Sequence, residues 1–257
     1  MAKIISVHSF RGGTGKSNTT ANVGSLLAAD GLRVGIVDTD IQSPGIHVLF
    51  GITEDDMHYS LNDYLWGKCT IGQAAVDVTA NLNSDPNNVV PVSGNVFLIP
   101  SSMRVGEIAR ILREGYDVGL LNDGYDQLVS ALNLDVLLID THPGLNEETL
   151  LSIAISDALA VIMRPDQQDY HGTSVTVEVA RKLDVPRMMI LVNKTPPALD
   201  PREVKQRVEQ SYNCPVAAVI PHSDEMMTLA SSGVLSLQYP DLEVARLYRQ
   251  TAALLYN

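Results

Sequence analysis

Cysteine is scarce in this sequence, because the 257-residue chain has only two, Cys69 and Cys214, and they lie far apart. Two isolated cysteines give no disulfide framework, and they lack the close spacing of thiolate ligands around zinc or an iron–sulfur cluster. Free cysteines of this kind usually serve as small apolar residues in a reducing compartment. The scarcity argues against a disulfide-stapled scaffold and predicts a cytoplasmic protein.

Long apolar stretches are also missing, since no segment approaches the ~18 uncharged apolar residues that a membrane-spanning helix needs. The N-terminal stretch MAKIISVHSF is too short and too mixed for a signal peptide. No internal repeat, low-complexity tract or Pro/Gly/Ser-rich linker divides the chain. We therefore expect a single domain over residues 1–257, with enough apolar content to bury a large core.

Positive charge is in deficit, with 18 Lys and Arg against 30 Asp and Glu and a formal net charge of −12. A uniformly acidic surface repels DNA and anionic membranes. The deficit is uneven, because residues 164–207 contain eight bases and six acids. Solvated helix faces are the simplest interpretation of that segment, and a local anion-binding patch is the alternative.

Short apolar runs, most of them followed by a helical pattern, recur along the chain. Strands that are apolar throughout and alternate with helices favour a parallel sheet covered on both faces. The right-handed crossover rule then predicts an α/β fold with a doubly wound, mostly parallel sheet. Residues 52–95 are the least regular part, and NLNSDPNN is predicted to be an exposed loop. The runs are KIISVHSF, RVGIVDTD, NVFLIPSS, LDVLLIDTHPG, DALAVIMRPD, RMMILVNKT and PVAAVIPHS.

The stretch FRGGTGKSNTT follows the first predicted strand and opens a helix. It matches the phosphate-binding pattern G-x-x-x-x-G-K-[ST], except that Phe10 stands where the first glycine is expected. Its glycines leave backbone N–H groups free to wrap phosphate oxygens, and the helix adds its positive N-terminal end. We expect Lys16 to lie between the β- and γ-phosphates and the Ser17 hydroxyl to ligate Mg²⁺.

Three aspartates end two of the predicted strands beside this loop. Asp140, at the end of DVLLID, is placed as a Walker-B aspartate that acts on Mg²⁺ directly or through water. Asp38 and Asp40 end the second strand, where one can support the metal's water shell and the other can orient the attacking water. Capping of the next helix is the alternative role for any single aspartate.

Taken together, these motifs resemble the ParA/MinD family of P-loop ATPases (SIMIBI class). RGGTGKS resembles the family's deviant Walker A motif, K-G-G-x-G-K-[TS], which has no glycine at the Phe10 position. VGIVDTDIQSPGIHVLFG resembles its second strand and switch I, and LLIDTHPGL its Walker B and switch II. VNK and VIPHSDEMMTLASSG resemble its adenine-side segments. The resemblance runs from Met1 to about Gly233 and implies the P-loop NTPase fold.

The resemblance also implies residue roles. Asp40 would position the hydrolytic water, Asp38 and Asp140 would serve the metal together with Ser17, and Gly144 would mark the switch II turn. Asn193 would hydrogen-bond adenine, and Pro221 would pack against the base. The residues implied to hold the phosphates are Gly12, Gly13, Thr14, Gly15, Lys16, Ser17 and Asn18.

One position departs from the family pattern, because Arg11 replaces the lysine that reaches across the dimer to the partner's phosphates. Arginine keeps the charge and offers a planar fork that suits phosphate oxygens. We therefore expect a catalytic role in trans for Arg11, alongside Lys16 and Asp40. The alternative is a structural ion pair within the chain.

The implied activity is slow ATP hydrolysis by an ATP-sandwiched homodimer that positions or partitions DNA or other large cargo. The implied partners are an activator or adaptor protein and non-specific DNA. The alternative is an ATP-dependent adaptor with little turnover that recruits a partner complex, including membrane or polar positioning. The C-terminal DLEVARLYRQTAALLYN has a helical apolar face but only two cations. This segment is predicted to pack on the sheet. We therefore expect the protein in the cytoplasm, where it could associate with the nucleoid, and consider a peripheral location at the membrane less favoured.

Overall fold

Eight strands form one sheet in the computed structural model of the protein, which describes residues 2–257. The strand order is β3-β4-β2-β5-β1-β6-β7-β8, and every pairing is parallel except that of β3 with β4. The predicted α/β, mostly parallel sheet is therefore confirmed. The strands are β1 Lys3–His8, β2 Arg33–Asp38, β3 Val76–Asp77, β4 Asn95–Ile99, β5 Val136–Asp140, β6 Ala158–Met163, β7 Met188–Thr195 and β8 Val216–Pro221.

Twelve α-helices within residues 2–257 connect and cover these strands. They are α1 Lys16–Ala29, α2 Ile46–Leu49, α3 Leu61–Leu65, α4 Thr79–Ser84, α5 Val105–Glu114, α6 Gly119–Leu132, α7 Glu147–Ala154, α8 Gln167–Lys182, α9 Pro201–Tyr212, α10 Asp224–Leu229, α11 Leu235–Gln238 and α12 Glu243–Tyr256. None of the helices within residues 2–257 has the length and apolar character needed to cross a membrane.

Both faces of the sheet are buried, as the uniformly apolar strands predict. In β5, Val136 and Leu138 belong to the core on the α1 side, whereas Leu137 and Ile139 belong to the core on the other side. This alternation follows from the two-residue period of a strand. Helix α1 lies close to the sheet at Gly24, where an added Cβ would come within 2.8 Å of Ile36. The absence of a side chain at Gly24 allows this close approach.

The C-terminal helix α12 packs on the α1 side of the sheet, as its pattern predicts. Val244, Tyr248, Thr251 and Leu255 are all buried. The face of α12 formed by these four residues is therefore committed to the core.

The prediction of an exposed loop at NLNSDPNN was wrong for its first half. Helix α4 continues through Ser84, and its own Leu82 is buried. Asn83 exchanges two hydrogen bonds with the backbone of Val92, which tie the helix to the following chain. A run of Asn and Ser favours a loop locally, but one buried leucine and these tertiary hydrogen bonds favour the helix.

The direction in which successive strands are added to the sheet reverses at β1, whose neighbours are β5 on one side and β6 on the other. Ligands of doubly wound sheets bind in the crevice at the carboxyl ends of the strands, at such a reversal. The loop after β1 lies at this point, and β2 and β5 end beside it with Asp38 and Asp140 in register. The topology thus brings together the polar segments that follow the strands.

Candidate nucleotide-binding site

The loop between β1 and α1 presents a row of unpaired backbone donors. Within residues 2–257, the N–H groups from Gly12 to Asn18 donate no backbone hydrogen bond. Gly13 and Gly15 have φ of +74° and +98°, a conformation that glycine adopts without steric cost. The orphan donors at the start of α1 add the helix's positive end to the loop. The loop is therefore shaped to hold an anion with several oxygens.

Lys16 lies over this loop among carboxylates and is 7% exposed. Its Nζ is 3.8 Å from Asp40 Oδ2 and 3.7 Å from Asp140 Oδ1. The ammonium charge therefore partly balances the acids at the ends of β2 and β5. An incoming phosphate group competes with those acids for the same ammonium.

Two carboxylate oxygens next to the loop have no hydrogen-bond partner among the described residues, although both are buried. These are Oδ2 of Asp38 and Oδ2 of Asp140. The other oxygen of each is used, since Asp38 Oδ1 accepts from the Asp40 backbone and Asp140 Oδ1 accepts from Thr20. Burial and then the Asp140 carboxylate raise the pKa of Asp38 well above its usual range. A cation would relieve both the desolvation and the repulsion.

A metal at this point would take only part of its coordination from the protein. No cluster of three or more His, Cys, Asp or Glu side chains that could hold a metal ion occurs in the part of the chain described. Mg²⁺ usually keeps several waters and binds through one or two carboxylates plus substrate phosphates. Asp38, Asp140 and the half-buried Ser17 at the start of α1 fit that pattern.

Arg11 does not point into the phosphate loop. Its Nη1 lies 3.1 Å from Asp169 Oδ1 and 3.4 Å from Asp166 Oδ1 at the start of α8. Asp169 is buried and also accepts hydrogen bonds from Arg164, whereas the Arg11 side chain is 36% exposed. The ion pair within the chain, which was the alternative, is thus present in this structure.

Phe10 occupies its unusual position because α8 leaves room for it. The phenyl ring lies against Gly172, where an added Cβ would overlap the ring. The ring is 36% exposed at the edge of the site. The absent glycine of the common pattern is therefore replaced by a packing contact between the loop and α8.

The segments after β7 and β8 form a cavity beside Gly15 of about 430 Å³. Asn193 and Lys194 hold the loop, with Asn193 Nδ2 donating to Thr14 O and Lys194 Nζ donating to Gly13 O, both at 2.8 Å. The cavity has apolar and polar walls suited to a flat heteroaromatic ring. Its lining includes Asn18, Asn193, Ile220, Pro221, Met226, Met227 and Tyr248.

Most of the chain matches a known family of nucleotide-binding domains. The family model described as the CobQ/CobB/MinD/ParA nucleotide binding domain matches residues 5–237. The chain belongs to this family. The predicted resemblance to ParA/MinD proteins is thereby confirmed for most of the chain.

Several known proteins resemble the chain over nearly its full length. An uncharacterized ATP-binding protein of Methanocaldococcus jannaschii is 26% identical over 98% of this chain and 87% of its own. The septum site-determining protein MinD of Pyrococcus horikoshii, complexed with Mg-ADP, has a TM-score of 0.77 at 21% identity, covering 98% and 95%. The MinC:MinD cell division complex of Aquifex aeolicus gives 0.79 at 18% identity, covering 99% and 95%. These two structures support the shared fold.

Two titratable residues of this family member were not singled out from the sequence. His142 Nε2 lies 3.8 Å from Asp40 Oδ1, and Glu148, near the start of α7, is 9% exposed. Burial and then the Asp40 carboxylate raise the pKa of Glu148 to about 7. LLIDTHPGL contains His142, but the sequence indicated roles only for its Asp140 and Gly144. The position of Glu148 gave no signal because its proximity to Asp40 is tertiary.

Glu148 is expected to make the stability of the protein depend on pH. Its folded pKa of about 7 exceeds the ordinary 4.5, so its stabilising contribution is complete below pH 4.5 and is lost as pH rises through about 7. Glu148→Gln should therefore raise the unfolding free energy by about 2 kcal/mol more at pH 8 than at pH 5. Urea unfolding at the two pH values measures this. The exposed neighbour variant Glu147→Gln is the control, and an equal effect of pH on all three proteins would refute it.

Proposed function

We propose that the protein binds ATP with Mg²⁺, forms an ATP-sandwiched homodimer and hydrolyses ATP slowly to position or partition DNA or another large cargo. The observation that carries this proposal is the free N–H row of the loop facing Lys16, Asp40 and Asp140. Donors, an ammonium and acids at one point are what phosphoryl transfer needs for positioning and charge stabilisation. Membership of a nucleotide-binding family supports the same conclusion.

Each residue has a separate task in this proposal. The loop N–H groups hold the phosphate oxygens, and Lys16 turns from the carboxylates to the β- and γ-phosphates. Asp40 orients the attacking water. Ser17, Asp38 and Asp140 hold Mg²⁺ directly or through its water shell, where the ion supplies charge neutralisation. Asn193 and Pro221 line the cavity proposed for adenine.

Arg11 is proposed to act across the dimer in place of the family lysine. Of its present partners, Asp166 is exposed and Asp169 is buried, and the guanidinium itself is partly exposed. Asp169 also accepts hydrogen bonds from Arg164, so it keeps a cationic partner when Arg11 moves away. Reaching a second subunit's phosphates therefore exchanges one charge-assisted contact for another of the same kind. ATP binding by a single chain does not require that exchange, whereas the dimer does.

Substitution of Arg11 tests the dimer and separates it from nucleotide binding. Arg11→Ala should weaken ATP-dependent dimerisation at least about tenfold, because it removes a charged phosphate contact. The affinity of the monomer for an ATP analogue should stay within about threefold, since Arg11 points away from its own loop. Light scattering with ATP or ADP measures dimerisation, phosphate release measures turnover, and titration with the ATP analogue measures the affinity.

Arg113→Ala, at an exposed arginine on α5, is the matched control for loss of one guanidinium. Arg11→Lys should restore much of the dimerisation, because it recreates the family residue. Unchanged dimerisation and turnover in Arg11→Ala would reject the trans role and leave Arg11 with its ion pair to Asp169.

The cargo and the activating partner determine which surface the cycle acts on. Exposed cations of the basic segment, among them Lys182 and three residues of α9 (Arg202, Lys205 and Arg207), would be doubled in a dimer and could bind phosphate backbones without reading sequence. Imaging a fluorescent fusion with and without Lys16→Ala separates a nucleoid pattern from a polar membrane pattern. A negligible turnover with DNA, vesicles and candidate partners would favour the adaptor function.

A further inference from the structure

The loop after β5 places a histidine side chain at the proposed reaction centre. His142 lies between Asp140, the last residue of β5, and Gly144. The loop is fixed to the other side of the site, because Thr141 N donates to Val7 O and Gly144 N donates to Ser9 O, both at 3.2 Å. The imidazole is therefore held near the phosphate loop by backbone contacts.

The hydrogen bond of one ring nitrogen fixes the role of the other. His142 Nδ1 is 2.6 Å from the carbonyl oxygen of Pro143. A carbonyl oxygen only accepts hydrogen bonds, so Nδ1 carries the proton and donates it. In the neutral imidazole, Nε2 then has a free lone pair and acts as an acceptor.

The acceptor atom Nε2 of His142 faces a second acceptor, the Asp40 carboxylate. Nε2 lies 3.8 Å from Asp40 Oδ1, which is too long for a direct hydrogen bond but short enough for both atoms to bind one water. Acceptors at this separation can each take one proton of the same water at ordinary hydrogen-bond distances of about 2.8 Å. A water held through both protons presents its oxygen lone pairs away from the two residues.

We propose that His142 is a catalytic residue that holds the attacking water jointly with Asp40, an inference that rests on the proposed ATP hydrolysis. The water oxygen forms the new bond to the γ-phosphorus, and the bond from that phosphorus to the β,γ-bridging oxygen breaks. ADP leaves with the bonding electron pair. One water proton stays on the phosphate product, and the other passes to Asp40 and then to solvent. His142 orients the water throughout and keeps its own proton on Nδ1.

A second histidine near the loop after β5, His8, is not placed to hold the attacking water. His8, at the end of β1, is fully buried, and its Nδ1 is 2.7 Å from Thr141 Oγ1. His142 is on the open side of the same loop, with 19% of its side chain exposed and Asp40 in front of it. The geometry therefore distinguishes the two rings.

A pair of variants of equal length tests the acceptor. His142→Gln keeps an oxygen that can accept the water's proton, whereas His142→Met has a similar reach and no comparable acceptor. The single-turnover rate of ATP cleavage with protein in excess should fall roughly 10²-fold in His142→Met. It should stay within about tenfold of wild type in His142→Gln, and the affinity of both for Mg²⁺ with a non-hydrolysable ATP analogue should be unchanged.

Other outcomes of this experiment would contradict either the role of His142 or the proposed ATP hydrolysis itself. A wild-type rate in His142→Met, or equal losses in both variants, would overturn the proposal. A parallel loss of analogue affinity or of melting temperature in His142→Met would overturn it too, because the residue would then be structural. Absence of turnover in the wild-type protein would instead reject the proposed function on which the inference rests.

Discussion

Replacing Asp40 with alanine is expected to lower the rate of ATP hydrolysis by roughly 10²- to 10⁴-fold while ATP binding is retained. Asp40 Oδ1 faces the gap to His142, and Oδ2 lies 3.8 Å from Lys16. Removing the carboxylate takes away one of the water's two proposed acceptors, and with it the group that takes the water's proton, but leaves the loop N–H groups and Lys16 in place. A species that binds ATP and cannot cleave it should accumulate as the ATP-bound dimer.

Phosphate release and light scattering, performed on the same samples, check this result. The exposed carboxylate variant Asp55→Ala is the matched control and should behave as wild type. Normal turnover in Asp40→Ala would contradict the assignment of the water-positioning role. Loss of both turnover and ATP-dependent dimerisation would show that Asp40 acts in nucleotide binding instead.

Replacing Lys16 with alanine is expected to weaken the binding of Mg²⁺-ATP by roughly 10²-fold or more, in line with the 2–5 kcal/mol typical of truncating one partner of a buried charge pair. Lys16 is 7% exposed and lies between Asp40 and Asp140. Its loss removes the ammonium that the phosphates need. It also leaves neighbouring carboxylates with less opposite charge, so they repel the incoming phosphates.

Calorimetric titration with a non-hydrolysable ATP analogue measures the affinity of this variant. Lys182→Ala, at an exposed lysine near the end of α8, removes the same charge from the surface and should bind as wild type. The Lys16→Ala protein should also melt at a lower temperature at neutral pH, because burial and Asp140 already disfavour the ionised form of Asp38. Wild-type affinity in Lys16→Ala would refute the phosphate role of this lysine.

Local sequence pattern was enough for most of the fold. Strands with apolar residues on both faces, such as VLLI of β5, are typical of sheets covered on both sides, and this pattern predicts the parallel sheet. The four-residue segment NLNS shows the limit, since its polar residues favour a loop and only the burial of Leu82 and the Asn83–Val92 hydrogen bonds make it a helix. The short antiparallel strand β3 was not predicted either, because a strand of two residues is too short to show an alternating pattern.

Candidate site residues on one contiguous motif could also be predicted. Gly12 to Ser17 lie together in any strand–loop–helix unit, and Asp38 and Asp140 meet because parallel strands end at one edge. The contacts of long side chains could not be predicted. Arg11 turns to Asp169, which is 158 residues away in the chain, and no local pattern specifies that pairing.

The sequence by itself determined the strand–helix alternation, the phosphate loop and the acids at the strand ends, because each depends on residue type and short-range spacing. Only the tertiary structure decided that Lys16 lies between Asp40 and Asp140, that Phe10 packs on Gly172, and that His142 faces Asp40. These contacts join segments that are distant in the chain. Such contacts depend on the distances between side chains and on their burial in the folded chain, and a local sequence pattern specifies neither the distances nor the burial.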